Sequence, residues 1–266
     1  MQGRVLIVAG SDSGGGAGIQ ADLKTVTALG GFGMTAITAL TAQNTLGVFG
    51  VLPVEPDFVV QQMDVVLDDL GADAVKTGML HSPEVIEAVS VALERRPGLP
   101  LVVDPVMVAQ SGATLLQDAA VAALKQHLLP QATLLTPNLP EAEKLIGRSI
   151  DGAAGMEAAA QEILAMGPEA VLLKGGHLSG DWLIDVLVTA GGVERFEGPR
   201  IDTEQTHGTG CTLASAIATG LAQGLSLADA VRRARAYLQE ALRTAPGLGR
   251  GQGPVNHGHT VGHFDG

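Results

Sequence analysis

Apolar positions fall in blocks whose period switches between that of a covered strand and that of a helix. Val5-Leu6-Ile7-Val8-Ala9 is short and continuously apolar, the pattern of a strand covered on both faces. From about Ala17, the residues Ile19, Leu23, Val26 and Leu29 recur at helical spacing, and Met34–Leu40 then reads as a second strand. Behind Pro56, the stripe Phe58, Met63, Val66 and Leu70 predicts a helix that places Phe58 and Met63 in the core. Ala74–Lys76 reads as a short strand. Ser82-Pro83 combines an N-cap with a proline at the first helical position and predicts a helix through Leu93. Strands follow at Leu101–Val103, Thr133–Leu135 and Ala170–Leu173, with helices marked by Val121, Leu124 and Leu128 and by the span from about Ala153 to Met166. Trp182–Val188 and Val193–Phe196, joined by Ala190-Gly191-Gly192, predict a hairpin, and two helices begin near Gly210 and Leu227.

Repeated strand–helix units predict an α/β fold with a mostly parallel sheet and helices on both faces. No linker, repeat or composition shift divides the 266 residues, so one domain over residues 1–266 is expected. Thr25 to Val54 and Gln205 to Ala228 carry no Asp, Glu, Lys or Arg, but glycines and polar residues break both stretches. They fit buried elements better than a membrane span, which needs ~20 consecutive apolar residues.

A parallel sheet places its binding crevice beyond the carboxyl ends of its strands. The residues following the strands here are Gly10-Ser11-Asp12, Gln43-Asn44, Lys76-Thr77-Gly78-Met79, Asp104-Pro105, Thr136-Pro137-Asn138 and Lys174-Gly175-Gly176. Turn formation explains the glycines and prolines. Two lysines, an aspartate, Gln43 and Asn138 on one edge point instead to a ligand site.

Composition narrows the class of ligand. The formal charge of −12 argues against nucleic acid or an anionic membrane as partner. A lone cysteine, Cys211, excludes a disulfide framework and a cysteine-based zinc site. No secretory pattern opens the chain, and a soluble cytoplasmic protein is expected.

Several templates are absent. There is no Gly-Lys dipeptide, hence no Walker A loop, and Ile19 stands where the third glycine of a dinucleotide fingerprint would be. Thr206-His207-Gly208-Thr209-Gly210-Cys211-Thr212 precedes a long uncharged helix. Its glycines free backbone N–H groups to converge at a helix N-terminus, an arrangement suited to a phosphate or a developing phosphoryl charge. Cys211 in that first turn is expected to favour its thiolate, although a small buried cysteine at a glycine-rich helix entry reads equally well. Asn138-Leu139-Pro140-Glu141 has the layout of a capping box, and Glu141 could also hold a hydrated Mg²⁺. His257, His259 and His263 are read as a mobile polar tail rather than a metal cluster. Arg232, Arg233 and Arg235 are read as a solvated helix face, and His207 as a polar loop residue that could act as a base.

The ordered set Ser11–Asp22, Thr41-Ala42-Gln43-Asn44-Thr45, Lys76-Thr77-Gly78-Met79-Leu80, Asp104-Pro105-Val106-Met107, Thr136–Ala142, Leu173–His177 and Thr206–Cys211 resembles the hydroxymethylpyrimidine/phosphomethylpyrimidine kinases, within the ribokinase-like superfamily. The resemblance runs down to Gly253-Pro254-Val255-Asn256-His257. It implies a three-layer α/β/α fold, usually homodimeric, that uses MgATP. The implied reaction is phosphorylation of 4-amino-5-hydroxymethyl-2-methylpyrimidine and then of its monophosphate, in thiamine biosynthesis.

Carried onto this chain, the resemblance gives Gln43 a hydrogen bond to the aminopyrimidine, with Gly10, Met79 and Val106 lining the ring pocket. Gly208, Thr209 and Gly210 would form the anion hole, and Cys211 stands where related sugar kinases carry an aspartate base. Lys174 and Thr203 would contact ATP, and Asp104, Asn138 and Glu141 would organise Mg²⁺ and its waters. Gln110 stands where many members carry lysine, which bears on the second phosphorylation, and Ala113 where a carboxylate is frequent. A pyridoxine/pyridoxal kinase and a non-catalytic pyrimidine-binding sensor remain as alternatives. The complete Gly208–Cys211 loop, Lys174 and Glu141 speak against the sensor.

Overall fold

Alternate residues of strand β1 (Arg4–Asp12) face opposite ways, and the two sets enter different cores. Leu6 and Val8 pack in one apolar cluster, while Val5, Ile7 and Ala9 pack in another. The period of two in a buried strand thus sets up three layers, with the sheet between two layers of helices. The computed structural model describes residues 1–107, 118–176 and 180–262.

The chain continues through α1 (Gly18–Ala28), β2 (Phe32–Asn44), β3 (Gly47–Pro53), α2 (Pro56–Asp69), β4 (Ala74–Thr77), α3 (Pro83–Glu94) and β5 (Leu101–Val103). It then forms α4 (Asp118–Ala123), β6 (Leu134–Leu135), α5 (Leu139–Ile146), α6 (Gly152–Leu164) and β7 (Ala170–Leu173). The elements β8 (Trp182–Thr189), β9 (Gly192–Pro199), α7 (Thr209–Ala222) and α8 (Leu227–Arg243) follow. The strands form one sheet of order β3-β2-β1-β4-β5-β6-β7-β8-β9. From β2 to β7 the pairing is parallel, whereas β3 and the β8–β9 hairpin join antiparallel at the two edges. One core cluster lies under α2, α3 and α6, and the other under α1, α7 and α8. This is the α/β/α arrangement that the strand–helix alternation implies.

The departures from the sequence reading have physical causes. β1 and β2 run past their apolar segments, because ladder hydrogen bonds continue through Ser11↔Leu40 and Asp12↔Thr41. The sequence pattern does not predict β3: its apolar Val48, Phe49, Val51 and Leu52 follow no period of two, and most of the strand is exposed. Phe58 is 55% exposed rather than core, while Met63 in the same helix is fully buried. The helix marked by Val121, Leu124 and Leu128 widens into a π-turn at Leu124–Leu128 before Pro130 ends it. Arg232 is solvated, but Arg235 reaches inward to Asp185 at 2.7 Å and Arg233 donates to Gln223 at 2.7 Å.

The C-terminal segment is packed rather than a mobile tail. His257 is buried with its Nε2 3.0 Å from Thr212 Oγ1, Tyr237 donates to its carbonyl, and His259 meets the Tyr237 carbonyl at 3.0 Å. His263, Gln110, Ala113 and His177 lie outside the described residues.

Candidate active site

The carboxyl ends of the parallel strands and the N-terminus of α7 enclose a cavity of about 510 Å³. Gln43, Gly10, Met79 and Val106 line it, and so do Asp104, Asn138, Glu141 and Lys174. Gly208, Thr209, Gly210 and Cys211 complete the wall. Thr203 does not reach the lining; its hydroxyl accepts a bond from the Gln205 N–H in the turn before His207.

The entry to α7 is held by contacts that only glycine permits. Gly208 has φ +82°, and a Cβ there would lie 1.8 Å from the Gly16 carbonyl oxygen. The β1–α1 loop and the α7 entry therefore pack backbone against backbone. The Thr212 N–H and hydroxyl both bond the Gly208 carbonyl and so fix the first turn of α7, while the Thr209 N–H, expected in the anion hole, is bonded to the Thr206 carbonyl at 3.3 Å. The thiolate expectation for Cys211 is not met. Burial pushes the thiol up to about 12, and Asp22 and Asp104 add to the rise. Lys76 and the Gly18 N–H oppose it without prevailing.

Beside Gly210, where a Cβ would lie 3.4 Å from Lys174 Nζ, Lys174 ends 3.1 Å from Asp104 Oδ1, which also accepts from Thr136 at 3.2 Å. Burial would lower the Lys174 ammonium, but Asp104 and Glu141 outweigh it and leave it raised. The capping box of α5 is formed: Asn138 Oδ1 accepts from the Glu141 N–H at 2.9 Å, and Glu141 Oε2 accepts from the Asn138 N–H at 2.8 Å. Burial lifts Glu141 to about 7; Lys174 opposes that rise and Asp104 adds to it.

Three features were missed by sequence reasoning. Lys76 is fully buried and bonds both oxygens of Asp22 at 2.9 Å, and Ser215 also donates to Asp22 at 2.6 Å. The available signal was a lysine inside an otherwise apolar strand. Asp12 accepts from the N–H groups of Gly14, Gly16 and Ala17 and meets His207 Nε2 at 2.8 Å. Burial would raise Asp12, but the bonds from His207 and the Ala17 and Gly14 N–H groups hold its carboxyl below its usual range. Asp185 accepts from the Gly175 N–H at 2.9 Å and so steadies the turn that presents Lys174.

A doubly covered parallel sheet, a glycine-entered helix N-terminus and a lysine beside two carboxylates at one sheet edge define a ribokinase-like small-molecule kinase. The structure matches the ADP complex of Bacillus subtilis pyridoxal kinase with a TM-score of 0.90, at 36% identity, over 97% of this chain and 98% of that one. The hydroxymethylpyrimidine/phosphomethylpyrimidine kinase of Streptomyces coelicolor is 49% identical over 97% of this chain and 95% of that protein. The thiamine biosynthesis bifunctional protein ThiED of Geobacter sulfurreducens is 54% identical over 96% of this chain, which spans 52% of that longer protein. Residues 12–256 match the family described as phosphomethylpyrimidine kinase, and the chain belongs to that family of thiamine-biosynthetic kinases.

Proposed function

We propose that the chain transfers the γ-phosphoryl group of ATP to the hydroxymethyl oxygen of 4-amino-5-hydroxymethyl-2-methylpyrimidine, and then to the phosphate of the monophosphate. The observation that carries this reading is one cavity lined by Gln43, Met79 and Val106 together with Lys174 and the Gly208–Cys211 loop. Gln43 hydrogen-bonds the aminopyrimidine edge while Gly10, Met79 and Val106 pack on the ring. The N–H groups of Gly208 and Gly210 serve the transferred phosphoryl group, the Thr209 N–H being bonded to the Thr206 carbonyl at 3.3 Å, and Lys174 neutralises phosphate oxygens. Phosphoryl transfer depends mainly on such positioning and charge, with little covalent work for the protein. Thr203, outside the lining, is left an adenosine-side contact at most.

Cys211 takes the hydroxymethyl proton in the first step from its thiolate form, which its high pKa keeps scarce. The second nucleophile is already an anion and needs no such base. Asp104 and Glu141 fit Mg²⁺ by chemistry: hard carboxylate oxygens, and a Glu141 charge that Lys174 alone does not stabilise. Asn138 fits less well, since its side-chain oxygen already caps α5. When bound, Mg²⁺ neutralises charge on the nucleotide phosphates.

The enzyme acts as one cytoplasmic domain, with no nucleic acid or membrane partner; no helix among the described residues is long and apolar enough to cross a membrane. It pairs as a homodimer, for which the edge strand β3 offers exposed Phe49 and Leu52. Pyridoxal is the second substrate to offer, because a pyridoxal kinase shares the fold so closely. ADP release with MgATP tests the reading: the aminopyrimidine is expected to stimulate it strongly, and release driven by pyridoxal alone would move the chain to that activity.

A further inference from the structure

The Gln43 amide sits between two partners whose own bonds decide which way it faces. Gln43 Oε1 lies 3.2 Å from Thr41 Oγ1, and Gln43 Nε2 lies 3.4 Å from His207 Nε2. His207 Nε2 is also 2.8 Å from the Asp12 carboxylate, so it must carry a proton there. An amide N–H then faces an imidazole N–H. On the other side, the single hydroxyl proton of Thr41 is asked to serve both Gln43 and the Ser11 carbonyl, 2.9 Å away. Half a turn of the amide removes the clash of two N–H groups and frees the Thr41 proton: the amide oxygen takes the minor share, at 3.4 Å, of the His207 proton whose main acceptor is Asp12 at 2.8 Å, the NH₂ donates to Thr41, and Thr41 donates to Ser11. Amide ends are alike in shape, so donor–acceptor pairing assigns them.

We propose that Asp12 and His207, with Thr41, are positioning residues that lock the Gln43 amide in this single orientation and thereby set selectivity for an aminopyrimidine. Locked this way, Gln43 presents a spare N–H on the Thr41 side and a spare carbonyl lone pair on the His207 side. That pair complements a ring nitrogen next to an exocyclic amino group, and a ring lacking the amino group leaves the carbonyl without a donor. Asp12 is nearly buried and anchored by three backbone N–H groups, so the chain of bonds starts from a rigid point. The contact between Gly16 and His207 is as tight: a Cβ on Gly16 would lie 2.4 Å from the His207 ring. Neither Asp12 nor His207 acts on the transferred phosphoryl group; both act through Gln43.

This inference rests on Gln43 as the pyrimidine contact, and a double-mutant cycle separates the two. Binding of the hydroxymethylpyrimidine and of ADP is measured by calorimetry for His207→Leu, Thr41→Val, Gln43→Ala and the pairwise combinations. His207→Leu and Thr41→Val are each expected to weaken pyrimidine binding about tenfold, the scale of one lost hydrogen bond, with ADP affinity within about twofold. On top of Gln43→Ala neither is expected to add further loss. Losses that persist undiminished in the Gln43→Ala background, or that are absent from both single variants, overturn the proposal. Unchanged binding in Gln43→Ala itself overturns the underlying reading instead. Should His207→Leu fail to fold, Thr41→Val decides alone, because it leaves the Asp12–His207 pair intact.

Discussion

Lys76 Nζ lies 2.9 Å from both carboxylate oxygens of Asp22, and neither side chain has any exposed surface. Taking two charges out of water is expensive, and each partner is tolerable only because the other is present. Burial would lower the Lys76 ammonium, but Asp22 and the nearby Asp104 outweigh it and leave it raised. Lys76→Met or Asp22→Asn alone is expected to destabilise the fold by about 3–5 kcal/mol. The double variant Lys76→Met/Asp22→Leu is expected to recover much of that loss. Denaturant unfolding of the three proteins checks both statements.

The pH dependence of the two phosphorylations is expected to differ. With the Cys211 thiol near 12, the thiolate fraction grows about tenfold per pH unit through neutrality. The first phosphorylation is therefore expected to rise steadily from about pH 7 to 9, and the second to stay nearly flat. Cys211→Ala is expected to slow the first step by about 10²–10⁴-fold and to remove its slope. Steady-state rates with each pyrimidine substrate across that range provide the check.

Glu141 contributes a second pH effect. Its carboxyl moves from 4.5 to about 7 on folding, so the folded state holds a proton that the unfolded state releases. Without metal, the stability from this group is full below about 4.5 and is lost as pH rises through about 7. Glu141→Gln is expected to flatten that part of the stability profile. Mg²⁺ is expected to bind more weakly as pH falls through about 7, which titration calorimetry reads directly.

The packed C-terminal segment makes its own prediction. Burial pushes His257 down to about 4, with Lys24, His259 and His207 adding to the shift. Stability from this group is present above the unfolded value of 6.5 and is lost as pH falls through about 4. His257→Gln is expected to remove that loss. The hydrogen-exchange protection factors of residues 254–262, taken relative to intrinsic rates at each pH, are expected to fall between pH 6.5 and 4 in the parent protein only.

Legibility from sequence followed burial. β1, β5 and β7 are apolar runs covered on both faces, and their pattern in sequence is their pattern in space. The edge strand β3 is exposed on most positions, so hydrophobic period carried no information about it. The residues at the strand ends pointed to the cavity because turn formation does not require lysine, aspartate or glutamine there. The links among them were hidden, since Asp12 and His207 are 195 positions apart and only folding pairs them. Arg235 shows the same limit: spacing put it on a helix surface, and the partner that draws it inward, Asp185, is 50 residues away.

One cavity is proposed to carry both phosphorylations of an aminopyrimidine. The most direct measurement is a product analysis with MgATP and the hydroxymethylpyrimidine as sole acceptor. The expected result is conversion through the monophosphate to the diphosphate, with two ADP formed per pyrimidine consumed. No phosphorylated pyrimidine, or a monophosphate that is never carried on to the diphosphate, would contradict that proposal.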